Sequence, residues 1–263
     1  MKRKIYLLLA VSAAFMTWSC SDDDDTVHVT EVNVSDDAFT LFLDEEKTIT
    51  AEVMPANAGN PAIEWSTSAA DVATVDANGN VKAVAPGTAV ITAKAKDNAV
   101  TGTANVTVVN GFVLGTERTE IKAAYYDDAD LGETEGGGLS FYFYSTTEVG
   151  DGEDYSIWID IPTERLNTTF SLTEEDPYNW SWWIEYQKAE PAVHYEGFGS
   201  EGSMEDVVSG TMSSKVEGGG KFTVTFDILL TDGKTLKGKY SGVMLDSETA
   251  NGRVKRETVN RNR

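Results

Sequence analysis

An all-β fold is what this sequence predicts, and three observations carry the prediction. After residue 25 no stretch sustains a 3.6-residue apolar period. Apolar and polar residues instead alternate with period two, and Gly, Asn and Asp punctuate the alternation at short intervals. The chain has 263 residues, enough beyond a short leader for two modest cores, since domains commonly run to about 100–150 residues.

The leader comes first. Lys2, Arg3 and Lys4 precede an apolar segment from Ile5 to Met16, and Asp22–Asp25 follow the chain's one cysteine, Cys20. The segment is shorter than the about 20 apolar residues that a spanning helix needs, so it reads as an export signal. Thr17-Trp18-Ser19-Cys20 resembles the lipobox of bacterial lipoproteins, with Thr17 in place of the usual leucine. The aspartates after it resemble the surface-export signal of Gram-negative gut anaerobes. The resemblance implies a signal peptide over 1–19, lipidation of Cys20, an acidic tether over 20–29, and a place on the outer face of the outer membrane. Asp25-Thr26-Val27 resembles the short O-glycosylation motif of the same bacteria, which implies a glycan on Thr26. The other reading is a plain secretory signal with a chance cysteine.

The formal net charge is −22, and loss of residues 1–19 with Lys2, Arg3 and Lys4 makes it −25. Such a field repels phosphate backbones and anionic headgroups, so nucleic acid is excluded as a partner and membrane attachment falls to the lipid alone. Arg253, Lys255, Arg256, Arg261 and Arg263 give a basic tail over 249–263 without aromatics, which reads as a flexible, solvated end. With Cys20 given to lipid, no cysteine remains for a disulfide or a thiolate nucleophile.

In the first half, Ala89, Ile91, Ala93 and Ala95 fall on one face of a strand, and Ala104, Val106 and Val108 on one face of the next. Asn78-Gly79 between Val75 and Val81 marks a hairpin turn, and Pro86-Gly87 marks another. The runs Trp65-Ser66-Thr67-Ser68, Asp71-Val72-Ala73-Thr74-Val75-Asp76, Asn78-Gly79-Asn80-Val81-Lys82-Ala83-Val84 and Pro86-Gly87-Thr88-Ala89-Val90-Ile91-Thr92-Ala93 resemble, in order, the bacterial Ig-like group 2 domain. The resemblance covers 30–109 and implies a small β-sandwich used as a spacer or adhesive module, without catalysis and with Trp65 in its core. A lone tryptophan in a small sandwich is by itself a core residue before it is a ligand platform.

Asn110-Gly111 reads as the junction to a second domain over 111–248, where Tyr, Trp and Phe become dense. Gly210–Val216, Phe222–Leu230 and Leu236–Leu245, separated by Gly218-Gly219-Gly220 and Asp232-Gly233, predict a three-strand meander. Phe222, Val224, Phe226 and Ile228 form its inner face, met by Leu236, Gly238, Tyr240 and Gly242, whose glycines signal a bend or a close approach. This half resembles the C-terminal β domains of surface lipoproteins, some barrel- or lipocalin-like. The expected fold is therefore all-β: an Ig-like β-sandwich followed by a second antiparallel β domain, sandwich or lipocalin-like barrel.

The candidate binding residues lie on the strands before the meander. Leu139, Phe141 and Phe143 alternate with Ser140, Tyr142 and Tyr144; Ile157, Ile159 and Ile161 with Ser156, Trp158 and Asp160; Trp180, Trp182, Ile184 and Tyr186 with Ser181, Trp183 and Glu185. One face of each strand is core. If the second faces share one surface, Tyr142, Tyr144, Trp158 and Trp183 form an aromatic platform beside Asp160 and Glu185. Aromatic faces with adjacent acceptors suit sugar rings, whose C–H groups stack while their hydroxyls donate to carboxylates. The competing reading is a face covered by loops or by the first domain, with these aromatics as ordinary core and interface.

Catalysis has less support. Asp160 and Glu164 resemble part of the acidic strand motif of β-jelly-roll glycosidases, but its leading glutamate is missing and Pro162 interrupts the alternation that would aim both at one cleft. His28 and His194 are too few and too isolated for a triad or a zinc site. Asp127-Asp128-Ala129-Asp130-Leu131-Gly132-Glu133 resembles the first half of an EF-type calcium loop without its closing glutamate; a second acidic loop spans Asp151–Asp154, and Asp71, Asp76 and Asp97 match no compact loop. No cofactor is expected. The expected function is a non-enzymatic surface lipoprotein that binds extracellular glycan through its second domain. The alternatives are a structural or protein-interaction module whose partner is a surface protein, and a glycoside hydrolase.

Overall fold

The computed structural model describes residues 26–129, 137–147, 155–172, 181–186, 193–198 and 206–247. It is all-β, built from two sets of sheets with separate cores.

The first set holds β1 (Glu31–Val34), β2 (Ala38–Phe42), β3 (Glu46–Thr48), β4 (Ala51–Met54), β5 (Ile63–Thr67), β6 (Ala73–Val75), β7 (Asn80–Ala83), β8 (Gly87–Ala95) and β9 (Thr101–Val109). They form sheets of order β2-β9-β8-β5, β3-β7-β6 and β1-β4, all antiparallel except the parallel β2–β9 pair. The alternation in β8 and β9 is realised: Ala89, Ile91, Ala93, Ala95, Ala104, Val106 and Val108 are all buried. Trp65 is only partly buried, yet it packs against both core clusters of this domain. It also explains the β6–β7 turn. Gly79 has φ 79°, and a Cβ there would lie 2.3 Å from the Ile49 carbonyl oxygen and 3.1 Å from the Trp65 ring, so only glycine fits. The Asp76 carboxylate accepts from the Asn78 and Asn80 amides at 2.8 and 2.9 Å.

The second set holds β10 (Gly111–Leu114), β11 (Glu117–Glu120), β12 (Ala123–Ala129), β13 (Gly138–Tyr144), β14 (Tyr155–Pro162), β15 (Thr169–Ser171), β16 (Ser181–Tyr186), β17 (Val193–Phe198), β18 (Val207–Gly218), β19 (Lys221–Leu230), β20 (Thr235–Val243) and β21 (Leu245–Asp246). Two six-stranded sheets result, β11-β10-β20-β19-β18-β15 and β17-β16-β14-β13-β12-β21. Their inner faces fill one core in which Phe141, Phe143, Ile157, Ile159, Ile161, Trp182 and Ile184 meet Phe222, Val224, Phe226, Ile228 and Leu236. Among the described residues no ladder joins the two sheets, so of the two expected shapes the structure takes the sandwich. The chain changes sheet at Met244, a buried corner between β20 and β21.

The expected meander is β18–β19–β20 in antiparallel register. Gly238 answers to close approach: a Cβ there would lie 2.4 Å from the Phe226 ring and 2.7 Å from Phe112 Cβ. A polar clamp also ties the sheets. Tyr195 on β17 donates to Asp232 at 2.7 Å, and Lys234 donates to both Asp232 and the Tyr195 hydroxyl at 2.6 Å. The Lys234 ammonium, helped by its own amide and by the Tyr195 hydroxyl, pulls the Asp232 carboxyl down to about 2.

Candidate functional site: the outer face of the second domain

The register across β12, β13, β14 and β16 brings the second faces of these strands onto one sheet surface in ordered rows. One row runs Tyr125, Tyr142, Trp158, Trp183. The next runs Asp127, Ser140, Asp160, Ser181, and on the other side Tyr144 stands opposite Ser156, itself opposite Glu185. Adjacent strands lie about 4.8 Å apart, so the aromatic row extends about 14 Å across the sheet, perpendicular to the strands. The side chains of Trp183, Glu185 and His194 lie outside the described residues; their backbones fix only these register positions.

Asp160 organises the polar row. Its carboxylate accepts from Ser140 Oγ at 2.6 Å, Trp158 Nε1 at 2.7 Å and Ser181 Oγ at 2.5 Å. Three of about four acceptor sites on a carboxylate are thereby filled. The consequence differs from the sequence expectation of a carboxylate open to a ligand: Asp160 holds the Trp158 indole and ties three strands together. Ser140 and Ser181 are buried, which puts their hydroxyls out of water and makes the carboxylate their necessary partner.

Asp127 has the corresponding role at the other end. Tyr142 Oη donates to it at 3.0 Å and Ser247 Oγ at 2.9 Å. Burial pushes the Tyr142 hydroxyl well above the ordinary phenol range, and the Asp127 and Asp160 charges push it the same way, so it stays a donor. Tyr144 is likewise raised, first by burial and then by Tyr125 and Asp127. Tyr142 is only 2% exposed. Its ring lies 4.8 Å from the Trp158 ring, centroid to centroid, tilted by 52°. Tyr142 thus supports Trp158 from the side and does not present a face of its own, while Trp158, Tyr144 and Tyr125 are half-buried. Tyr125 meets Tyr144 edge-on at 6.0 Å.

Ser140 and Ser181 fall on this face as the alternation of their strands predicts, whereas Tyr125, Asp127 and Ser247 were not legible as members of it. Asp127 and Asp128, read from sequence as the start of a calcium loop, lie near the end of β12; the alternation of Tyr125 and Asp127 about Tyr126 is obscured by the acidic run that follows. Asp130–Glu133 and Asp151–Asp154 lie outside the described residues, as do Cys20 and the basic tail. Among the described residues no group of three or more His, Cys, Asp or Glu is placed to hold a metal ion. Asp97 accepts from the Val29 amide at 2.9 Å and pairs with His28 at 3.0 Å, and Asp76 caps its turn. Glu164 sits exposed in a single 3-10 turn, Thr163–Arg165, after Pro162 ends β14, while Asp160 is engaged by the serines and Trp158.

Residues 28–108 match the family model described as the bacterial Ig-like domain (group 2). An uncharacterized protein of Clostridium acetobutylicum is 34% identical over 102 residues, 35% of this chain and 10% of its own length. An Ig-like virion protein of Serratia phage KSP90 is 40% identical over 83 residues, 31% of this chain and 32% of its own. The chain therefore spans a tenth of one relative and about a third of the other. Domains 5–6 of the S-layer protein SbsC align with 83% of this chain and 98% of their own at 14% identity, with a TM-score of 0.29. The first domain is thus of the bacterial Ig-like kind, and the family match ends before Gly111.

Proposed function

We propose that the protein is a non-catalytic, lipid-anchored protein of the outer cell surface whose second domain binds neutral extracellular glycan across the outer face of the β12–β17 sheet. The carrying observation is the Asp160 carboxylate holding the indole of half-buried Trp158 at 2.7 Å, on the face opposite the core that the two sheets share. A fixed aromatic ring loses little freedom on binding, which is what a weak stacking contact with a sugar needs. Trp158 and Tyr144 stack, and the register positions of Trp183 and Glu185 extend the surface. The chain's charge of −22 selects against sulfated or uronic glycans. The Ig-like domain is the spacer that lifts this face from the membrane, and Cys20 is the anchor.

A structural or protein-interaction module is the second reading, favoured by the burial of Tyr142 and by the carboxylate sites already used within the face. Titrating the full chain against a panel of neutral and anionic polysaccharides, followed by tryptophan fluorescence, separates the two. The glycan reading expects a saturable response to a neutral polymer that Trp158→Ala abolishes; silence across the panel overturns it. For the anchor, Cys20→Ala is expected to release the protein from the membrane fraction, and retention there would overturn the lipid assignment.

A further inference from the structure

We infer that the two domains form one rigid body, locked where the β2–β3 turn of the Ig-like domain seats on three adjacent strands of the second domain. The connection itself is short: β9 ends at Val109 and β10 begins at Gly111, so Asn110 alone lies between them. Asn110 is also bound into the second domain. Its Oδ1 accepts from the Ser241 amide at 2.8 Å, its Nδ2 donates to the Ser241 carbonyl, and its own carbonyl accepts from the Ile121 amide at 2.9 Å.

The turn supplies three grips, one to each strand. Phe42 packs on β10 at Gly111, where a Cβ would lie 2.6 Å from the ring; no side chain fits between them. Glu45 takes Arg118 of β11 in a two-toothed ion pair, Nη1 to Oε1 and Nη2 to Oε2 at 2.7 Å, and the same guanidinium lies 4.2 Å over the Phe42 ring. Asp44, held at φ 66°, meets Lys239 of β20 at 2.6 Å. Phe42 is therefore clasped between backbone and guanidinium, and its position fixes the two carboxylates beside it.

Glu45 is prepared for this role by its own domain. Its Oε2 accepts from the Phe42 amide at 2.7 Å, its amide donates to the Phe42 carbonyl and its carbonyl accepts from the Ala83 amide at 2.9 Å. A carboxylate already fixed in position gives up little entropy when Arg118 docks, which is why a fork-to-fork pair here contributes more than a floppy surface pair. The stacked arginine adds a term that lysine would not reproduce. With linker, ring and both ion pairs acting together, hinge motion about Asn110 has to break all of them. The consequence is a fixed orientation of the aromatic face relative to the Ig-like domain, whatever that face binds.

Residual dipolar couplings of backbone amides in the full chain test this directly. The wild type is expected to give the same alignment tensor from both domains. The double variant Arg118→Ala/Lys239→Ala is expected to lose that identity, with unequal tensor magnitudes, while dispersed amide spectra show both domains folded. Gly111→Ala, which wedges Phe42 out without touching a charge, is expected to do the same. Arg118→Lys is expected to fall between. Different tensors in the wild type, or an undivided tensor in the double variant and in Gly111→Ala alike, would overturn the proposal.

Discussion

The two faces of the β12–β17 sheet are made by the same strands and differ in nearly everything else. On β14 the inner residues Ile157, Ile159 and Ile161 are fully buried in the core shared with the opposite sheet. One position away, Ser156, Trp158 and Asp160 pair across the sheet with residues of β13 and β16, and Trp158 donates to Asp160. The inner face is held by area removed from water, which is non-directional. The outer face is held by hydrogen bonds with particular donors and acceptors, which fix orientation more than they add stability. On the function proposed above, it is this fixed orientation of the rings that serves recognition.

The largest expected effect breaks the inner face. Phe143→Ala empties a fully buried site between Phe226 and Tyr240 and is expected to cost about 3–5 kcal/mol in denaturant unfolding of the second domain. Asp160→Ala comes next. It strands the Ser140 and Ser181 hydroxyls and frees the Trp158 indole, at an expected cost of about 1–3 kcal/mol, whereas Asp160→Asn keeps one acceptor oxygen and is expected to lose less. Trp158→Ala is smaller again for stability, about 1 kcal/mol from the lost pairing with Tyr142, but is expected to remove glycan binding. A stability loss at Trp158 as large as at Phe143 would erase the distinction between the faces.

The smallest effect concerns acid. The Asp232 carboxyl is lowered to about 2, so the clamp to Lys234 and Tyr195 favours the folded state fully above the unfolded carboxyl range near pH 4 and weakens as pH falls through about 2. Because the group faces solvent, the change in stability is expected to be slight. A carboxyl-carbon NMR titration should place its midpoint near 2, and Asp232→Asn should remove that pH dependence.

What could be read from the sequence followed the range of the interaction that determines it. Alternation is local, so Phe141, Phe143, Ile157 and Ile159 are legible as core, and Tyr142, Tyr144 and Trp158 as their opposites. The ordered motifs around Trp65 and Gly79 likewise announce the Ig-like domain. Whether alternate faces lie side by side depends on register between strands that are distant in sequence, and Ser140, Asp160 and Ser181 come from three of them. The engagement of Asp160 was for that reason out of reach, while the burial of Tyr142 is what the competing reading of a covered face expects. Gly238 is an intermediate case: the sequence shows that something approaches closely, and the fold shows that it is Phe226 and Phe112.

On the proposed function, Trp158 presents an oriented ring to a neutral glycan. Indole N–H resonances of the full chain, followed during titration with a neutral polysaccharide that binds, test it most directly. The Trp158 signal, identified through its absence in Trp158→Phe, is expected to move saturably while those of Trp65 and the core residue Trp182 stay in place. A saturable shift at Trp65 or Trp182 with Trp158 unmoved would contradict it.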